Sequence, residues 1–328
     1  MFNRVIKILE YSRYFSLPMT FFSWLIVFVY AITDSGNILY GLISLAGICF
    51  VHLGTNLLDD FVDYKYLMKQ LNFNKDAYLY NSQKTKCRYL ISGLMNEKQL
   101  AGVIAVFFGA GFLCGLYLFI KCGMGILYFA LAGAIIALIY SFVSRICLSE
   151  IMVALAYGPV LFGGVYYSMT GIYSSDVFIL AIPSMIMTVV LLYIHTVMDF
   201  EFDLNENKKT IANRFNSQLD SLIVLKFLLI FAYISVIFLC IPDITDWQVF
   251  LTLITIPLAI DLYKSLELFS NNPETVPDKK WYHFPMENLE RLKEHNEISF
   301  MMRMYQSRNL MIYFSIFLTF GIILSLII

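Results

Sequence analysis

Charge is scarce in this chain. Asp, Glu, Lys and Arg make up 14% of its 328 residues, compared with roughly 25% in an ordinary soluble domain. Intrinsic disorder is excluded as well, because disordered chains combine high charge with few apolar residues. The net charge of −1 indicates no partner, and we expect none among nucleic acids.

Paired cysteines are also lacking. The six Cys residues are scattered along the chain and no CxxC pair occurs among them. This spacing favours neither a zinc site nor a disulfide framework. We therefore interpret the cysteines as packing residues.

Apolar residues are abundant instead, at 59% of the chain, and 16% of the residues are aromatic. A membrane-spanning helix needs about 20 mostly apolar residues. Nine such stretches occur, at 17–33, 38–58, 99–120, 123–141, 148–168, 177–198, 219–241, 247–266 and 309–328. We predict an all-α, polytopic membrane protein with nine transmembrane helices, in which residues 1–328 form a single domain with long loops at 59–98 and 267–308.

Two further segments have the spacing of amphipathic helices. One precedes the first span, and its apolar positions are Phe2, Val5, Ile6 and Leu9. The other lies in the second long loop, with Leu289, Leu292, Ile298 and Met301 or Met302 at near-helical intervals. We interpret both as helices on the membrane surface, and the first as an alternative to a cleaved signal peptide.

The basic residues predict the orientation. All Lys and Arg fall in alternate loops, except Lys121 in an opposite loop and Lys226 inside the seventh span. Because basic loops stay cytoplasmic, we predict an inside amino terminus and an outside carboxyl terminus. The long loops then lie in the cytoplasm.

Acidic residues gather at the cytoplasmic ends of two predicted spans. Asn56, Asp59, Asp60 and Asp63 end the second span, and Asp199, Glu201 and Asp203 end the sixth. Like charges at this spacing destabilise a bare helix, and carboxylate oxygens are the ligands that Mg²⁺ prefers. We predict a Mg²⁺ site made of Asn56, Asp59, Asp60, Asp63, Asp199 and Asp203. The simpler alternative is that these residues cap helix ends in water.

Basic residues follow each acidic group. Arg88, Arg145, Lys208 and Lys209 stand in the loops on the same predicted side. Because a metal and guanidinium or ammonium groups together neutralise a diphosphate, this combination predicts a diphosphate site. His52 and His195 each precede an acidic group by four residues, and we leave both out of the metal ligands.

Three segments resemble the UbiA superfamily of intramembrane prenyltransferases. Asn56 to Lys65 (NLLDDFVDYK) and Asp199 to Asp203 (DFEFD), the latter followed by Lys208-Lys209-Thr210, are similar to its two aspartate motifs, and Arg88 to Gly93 is similar to its Arg-x-x-x-Ser-Gly segment. The resemblance implies a nine-helix bundle and a Mg²⁺-dependent transfer from a polyprenyl diphosphate. It implies catalytic roles for Asp60, Asp63, Asp199 and Asp203.

Two shorter segments bear on the acceptor. Ser149 to Val153, Gly158-Pro159, Gly164, Tyr166 and Tyr167 are similar to a stretch of the 1,4-dihydroxy-2-naphthoate prenyltransferases of menaquinone synthesis. Tyr140 to Arg145 resembles a segment of the 4-hydroxybenzoate branch. The resemblance implies an aromatic acceptor, with Tyr140, Arg145, Arg88, Lys208 and Lys209 at the diphosphate.

The predicted function is transfer of a polyprenyl group to 1,4-dihydroxy-2-naphthoate in a bacterial inner membrane, with a cytoplasmic active site. The alternatives are 4-hydroxybenzoate, homogentisate, haem or a lipid glycerol phosphate as acceptor. A cation-coupled transporter is a remote alternative, because both acidic groups lie at one end of the bundle. Beyond the bilayer and the two substrates, we infer no obligate protein partner.

Overall fold

A computed structural model describes residues 2–70, 74–80, 86–205, 208–241, 244–294 and 297–327. In this part of the chain nine helices are long and apolar enough to cross a membrane, and no strand is formed. They are Tyr14–Thr33, Ile38–Leu67, Glu97–Cys122, Met124–Val143, Ser149–Thr170, Ser175–Met198, Gln218–Cys240, Trp247–Asn271 and Ile298–Ser325. The prediction of an all-α bundle with nine spans is confirmed. We number the spans in this order.

The second span is longer than the apolar pattern predicts. Its helix continues through the acidic residues to Leu67 instead of ending near residue 58. Neither Gly nor Pro occurs between residues 58 and 67 to stop it, so Asp59, Asp60 and Asp63 project from a rigid helix. The first long loop therefore begins about two turns later than predicted.

The second long loop contains a shorter helix than predicted. Leu289–Glu294 forms less than two turns, and the next long helix, the ninth span, already begins at Ile298. Ile298 and Met302 are 7% and 0% exposed because they pack inside the bundle. The expected surface helix through residues 289 to 302 is therefore wrong in its second half.

A helix at Phe2–Tyr11 confirms the amphipathic pattern at the amino terminus. Its position on a membrane surface stays a prediction. Arg13 then adopts a left-handed backbone conformation with φ of 56°, which turns the chain into the first span. This turn brings the Arg13 side chain to the end of the second span.

The sixth span is the central helix. It packs against the first, seventh and ninth spans and against the bend of the fifth, and Met187, Tyr193 and Ile194 on it are fully buried. A helix that is apolar on all sides is stable where either protein or lipid surrounds it, and the largely buried side chains of this span show that protein surrounds it. The acidic residues that follow its last turn are therefore held by the core of the molecule.

The fifth span is interrupted at its middle. Gly158 has non-helical backbone angles of φ −95° and ψ −106°, and Pro159 follows inside a wide turn at Ala156–Val160. Pro lacks the N–H that would continue the helical hydrogen bonds. The bend places the Tyr157 side chain beside polar residues of the first and second spans.

Candidate functional site

Three carboxylates project from the last turns of the second span. Asp59 and Asp60 are 4% and 2% exposed, and Asp63 is half-buried. Buried carboxylates need nearby cations or donors to stay ionised. We call Asp59, Asp60 and Asp63 the first acidic cluster.

Three basic side chains from different segments pair with the first acidic cluster. The Arg13 guanidinium donates a hydrogen bond to Asp60 and lies 3.9 Å from Asp59 Oδ2. Lys86 Nζ lies 2.6 Å from Asp59 Oδ2 and 3.1 Å from Asp63 Oδ2. Arg145 Nη2 completes the set at 2.6 Å from Asp63 Oδ1. The cluster is therefore balanced, with three negative and three positive charges.

Lys86 lies at the centre of this arrangement. Burial would lower the pKa of the Lys86 ammonium, but Asp59 and Asp63 raise it well above its ordinary value. Lys86 is therefore charged at neutral pH. It is separated from Arg88 by one buried residue, Cys87, yet the two basic side chains have different partners.

The second acidic cluster consists of Asp199 and Asp203 at the end of the sixth span. Asp203 is 1% exposed, and its Oδ1 lies 3.4 Å from Lys208 Nζ. Its Oδ2 is buried and has no hydrogen-bond partner among the described residues. The Asp199 side chain likewise has no described partner. This cluster has two carboxylates and one paired cation.

The surroundings favour the protonated form of both second-cluster carboxylates. Burial raises the pKa of Asp199 to about 6, and the neighbouring Asp203 contributes. Burial also raises the pKa of Asp203, although Lys208 opposes the change. A bound cation would reverse this effect, since it stabilises the ionised carboxylates.

The two clusters lie at the same end of the bundle. The charges of Lys86 and Asp63 act on Asp203, so the clusters are within electrostatic range of each other. A bridge between Ile146 and Lys209 joins the loop after the fourth span to the loop after the sixth. In it, Lys209 N donates to Arg145 O at 3.3 Å and Cys147 N donates to Lys209 O at 3.0 Å. This bridge holds Arg145 and Lys208 at the same end of the bundle. We call the region between the two acidic clusters at this end the opening.

The other predicted diphosphate residues lie at different distances from the clusters. Tyr140 is half-buried at the end of the fourth span, within electrostatic range of Asp59. The Lys209 side chain is exposed. Arg88 is exposed and donates to Leu79 O at 2.8 Å, so it does not contact either acidic cluster. Its neighbours Lys84 and Thr85 lie outside the described residues.

Asn56 and His52 belong to a hydrogen-bonded group beneath the first cluster. Asn56 Nδ2 donates to Ser12 O at 3.0 Å and to Ser16 Oγ at 3.2 Å. His52 contacts Ser16 Oγ through Nε2 at 2.8 Å, and Thr20 Oγ1 and Tyr157 OH through Nδ1 at 2.6 and 2.9 Å. Both side chains join the first span to the second.

The donor chemistry fits a hard divalent cation, although the six predicted ligands do not converge on one point. In the part of the chain that the structure describes, no three His, Cys, Asp or Glu side chains are grouped to hold a metal. The first cluster is occupied by Arg13, Lys86 and Arg145. Asp199 and Asp203 Oδ2, which have no hydrogen-bond partner among the described residues, are free to accept a cation, and Mg²⁺ prefers such ligands.

Comparison with known families decides the identity of the fold. A model of the UbiA prenyltransferase family matches residues 16–288. The chain belongs to the UbiA prenyltransferase family. No curated protein matches it in sequence.

Solved structures of UbiA homologues resemble the whole bundle. One from Archaeoglobus fulgidus, bound to GPP and Mg²⁺, has a TM-score of 0.59 and 15% identity over 93% of this chain and 99% of its own. An apo structure from Aeropyrum pernix K1 has a TM-score of 0.58 and 15% identity over 93% and 97%. A digeranylgeranylglyceryl phosphate synthase structure has a TM-score of 0.58 and 17% identity over 98% and 99%.

The sequence does not single out two residues of the candidate site. Arg13 and Lys86 are two among the many basic residues of the predicted cytoplasmic loops, yet each contacts two carboxylates of the first cluster. Lys86 was detectable, because it lies two residues before Arg88, where the segment that resembles the family motif begins. For Arg13 no local signal existed, since its contact depends on the packing of the first span against the second.

Proposed function

We propose that this protein transfers a polyprenyl group from a polyprenyl diphosphate to an aromatic acceptor, and that the acceptor is 1,4-dihydroxy-2-naphthoate in menaquinone synthesis. The observation that carries the proposal is the pairing of two carboxylate clusters with basic side chains at one end of a UbiA-family bundle. The relative from Archaeoglobus fulgidus with GPP and Mg²⁺ bound supports a prenyl diphosphate donor.

Asp199 and Asp203 would hold Mg²⁺, together with Asn56, Asp59, Asp60 and Asp63 once their present partners exchange. When bound, the ion supplies positive charge to the diphosphate and to the oxygen that leaves. The chain itself contributes the matching cations. Arg145 and Lys86 each bind a carboxylate now, and both can turn to phosphate oxygens that carry the same charge-assisted hydrogen bonds.

The remaining chemistry depends on the bundle. Departure of the diphosphate leaves an allylic cation, to which water would add. The spans exclude water from the reacting atoms, and aromatic faces near the opening can stabilise positive charge. The acceptor ring then attacks the first carbon of the prenyl chain, and the attacked ring carbon loses its proton, or its carboxyl group as CO2, which restores the aromatic ring. The tail of the donor lies among the Phe- and Tyr-rich spans.

The naphthoate acceptor rests on the segment from Ser149 to Tyr167. Glu150 in it is 5% exposed and accepts hydrogen bonds from Ser149 Oγ at 2.8 Å and Thr196 Oγ1 at 3.4 Å. Glu150 therefore ties the start of the fifth span to the end of the sixth, close to the second acidic cluster. The segment that is similar to the naphthoate prenyltransferases thus lies near the second acidic cluster, which supports the proposal.

We also propose that the opening faces the cytoplasm of a bacterial cell. The basic residues favour this side. Cysteine at the exposed Asn216 should react with an impermeant thiol reagent only in inverted vesicles, and cysteine at the exposed Lys121 only in right-side-out vesicles, on a background without native Cys. The reverse labelling pattern would overturn the orientation.

A reconstitution assay tests the activity. Purified protein receives Mg²⁺, a labelled polyprenyl diphosphate and, separately, 1,4-dihydroxy-2-naphthoate, 4-hydroxybenzoate, homogentisate, haem or a lipid glycerol phosphate. Mass spectrometry should find the prenylated naphthoate and no comparable product from the others. A product from another acceptor would reassign the substrate, and the absence of every product would reject the proposed activity.

A further inference from the structure

The two histidines near the acidic clusters have opposite surroundings. Ser16 Oγ donates its hydrogen to Arg13 O at 2.7 Å, so Ser16 accepts a hydrogen bond from His52 Nε2–H. His52 Nδ1 is then the acceptor for the hydroxyl of Thr20 or Tyr157. Both ring nitrogens of His52 are occupied by the protein, and we assign it a positioning role between the first, second and fifth spans.

His195 has no such partners. Its ring makes no hydrogen bond or ion pair with any residue that the structure describes. Among residues 179–198, all of them described, His195 alone is exposed, although this helix is the most enclosed of the spans. An exposed imidazole on an otherwise buried helix indicates that the helix borders an open space at that point.

That space is the opening between the acidic clusters, not the lipid. The charges of Arg13, Lys86 and Lys208 all act on His195, and these cations belong to both clusters. Asp199 N donates to His195 O at 2.9 Å, and Asp203 N donates to Asp199 O at 2.8 Å. His195, Asp199 and Asp203 therefore follow one another at successive turns of the chain, across the junction between the helix that ends at Met198 and the short helix Phe200–Asn205.

The depth of His195 matches the position of the reacting carbon. Four residues of helix correspond to about 6 Å, so His195 lies one turn deeper in the bundle than Asp199. A diphosphate held at the carboxylates directs its apolar tail inward, and the first carbon of that tail lies at the next level. The acceptor ring must come within about 3.5 Å of this carbon, which brings it beside His195.

We propose that His195 binds the acceptor, accepting a hydrogen bond on a ring nitrogen from a hydroxyl of the aromatic ring. This inference rests on the proposed function and specifies the substrate class as a ring with a free hydroxyl. The hydrogen bond orients the ring over the prenyl carbon. A site built to accept such a bond rejects an analogue that lacks the hydroxyl hydrogen, because the bound analogue shields the ring nitrogen from water and leaves it unpaired.

The test compares 1,4-dihydroxy-2-naphthoate with its two monomethyl ethers as acceptors, using one polyprenyl diphosphate. The wild type should have a kcat/KM about 10 to 100 times lower for one of the ethers. His195→Leu should lose this preference, because it reacts more slowly with the hydroxyl form and about equally with the ether. His195→Gln keeps an amide oxygen as acceptor and should retain part of the preference. The KM for the donor should change by less than about twofold in both variants.

His52→Gln is the matched control. It replaces the histidine whose nitrogens bond within the protein, so it should lower the melting temperature and leave the preference for the hydroxyl form unchanged. A full preference in His195→Leu, or equal losses on the hydroxyl form and the ether, would overturn the assignment of His195. If the wild type makes no product from any aromatic acceptor, the proposed activity fails first, and that outcome is recognisable without any variant.

Discussion

The two acidic clusters differ in how their charge is compensated. Asp59, Asp60 and Asp63 have three basic partners, whereas in the second cluster Lys208 pairs with Asp203 Oδ1, and neither Asp203 Oδ2 nor the Asp199 side chain has a partner among the described residues. An uncompensated pair of buried carboxylates gains most from a cation. We infer that the second cluster binds the metal. The basic side chains that pair with the first cluster are then available to bind the diphosphate.

The difference also separates activity from stability. We expect a carboxylate with a basic partner to contribute to the free energy of unfolding. We expect a carboxylate without such a partner to contribute only to activity. Substitutions in the two clusters should therefore have similar effects on turnover and different effects on thermal unfolding.

The largest expected effect is on turnover. Asp199→Ala and Asp60→Ala should each reduce activity about 1,000-fold or more, because each removes an oxygen needed to neutralise the transition state. Asp199→Ala should unfold at the wild-type temperature or above it. Asp60→Ala removes the carboxylate to which Arg13 donates its hydrogen bond and leaves only Asp59, at 3.9 Å, so it should cost about 1 to 3 kcal/mol in the free energy of unfolding.

Turnover with saturating Mg²⁺ and thermal unfolding in detergent measure both quantities. Glu201→Ala is a suitable control, since Glu201 is exposed and adjacent to the cluster, and it should retain most of the activity. Near-normal turnover of Asp199→Ala would remove the second cluster from the site.

The second largest expected effect is the stabilisation of the protein by Mg²⁺, which should depend on the second cluster more than on the first. At 100 times its dissociation constant, the ion should stabilise the wild type by about 2.7 kcal/mol. Asp203→Asn should abolish this stabilisation, whereas Asp59→Asn should retain part of it. The measurement is the melting temperature with and without Mg²⁺, with Ca²⁺ as a test of selectivity. Equal losses in the two variants would mean that the clusters bind the ion as one unit.

Donor affinity should respond to the two arginines. Arg145→Lys keeps the charge but loses the paired hydrogen bonds of the guanidinium, so the KM for the polyprenyl diphosphate should rise about tenfold, equivalent to about 1.4 kcal/mol. Arg88→Lys should act in the same direction and more weakly, because Arg88 is exposed and contacts Leu79 O. The KM for the acceptor should change less than that for the donor. Equal changes for both substrates would reject the diphosphate role of the residue concerned.

The smallest expected effect is a change in stability when the first cluster loses one cation and so becomes more like the second. Lys86→Met removes the cation between Asp59 and Asp63, so the first cluster becomes undercompensated like the second. Without metal, the free energy of unfolding should fall by only about 1 kcal/mol, because solvent-exposed ion pairs contribute little and the Lys86 side chain is 39% exposed. Mg²⁺ should then stabilise this variant more than the wild type. A smaller gain with Mg²⁺ would contradict the compensation argument.

The site shows where prediction from sequence succeeds. The acidic residues were found because carboxylates at i, i+4 spacing beside an apolar run are costly without a ligand. The ends of the spans were less predictable. Residues 59 to 67 are polar enough to resemble a loop, yet they continue the second helix because the neighbouring loops supply basic partners for their carboxylates.

The histidines show where prediction stops. His52 and His195 stand at the same distance before an acidic group and are indistinguishable in the sequence. One is enclosed by Ser16, Thr20 and Tyr157, and the other faces the opening. The bend at Gly158 decides this difference in part, because it brings Tyr157 to the His52 ring.

The sequence by itself determined that the protein is embedded in a lipid bilayer, how many helices span it, and the family to which the chain belongs. These follow from composition, from the length of apolar runs and from short motifs, which are local properties of the chain. The tertiary structure alone decided that Arg13 and Lys86 neutralise the first cluster, that Asp203 Oδ2 is left unpartnered among the described residues, and that His195 is exposed. The pairings of Arg13 and Lys86 join residues up to 47 positions apart, and they depend on how helices pack, which no local pattern encodes.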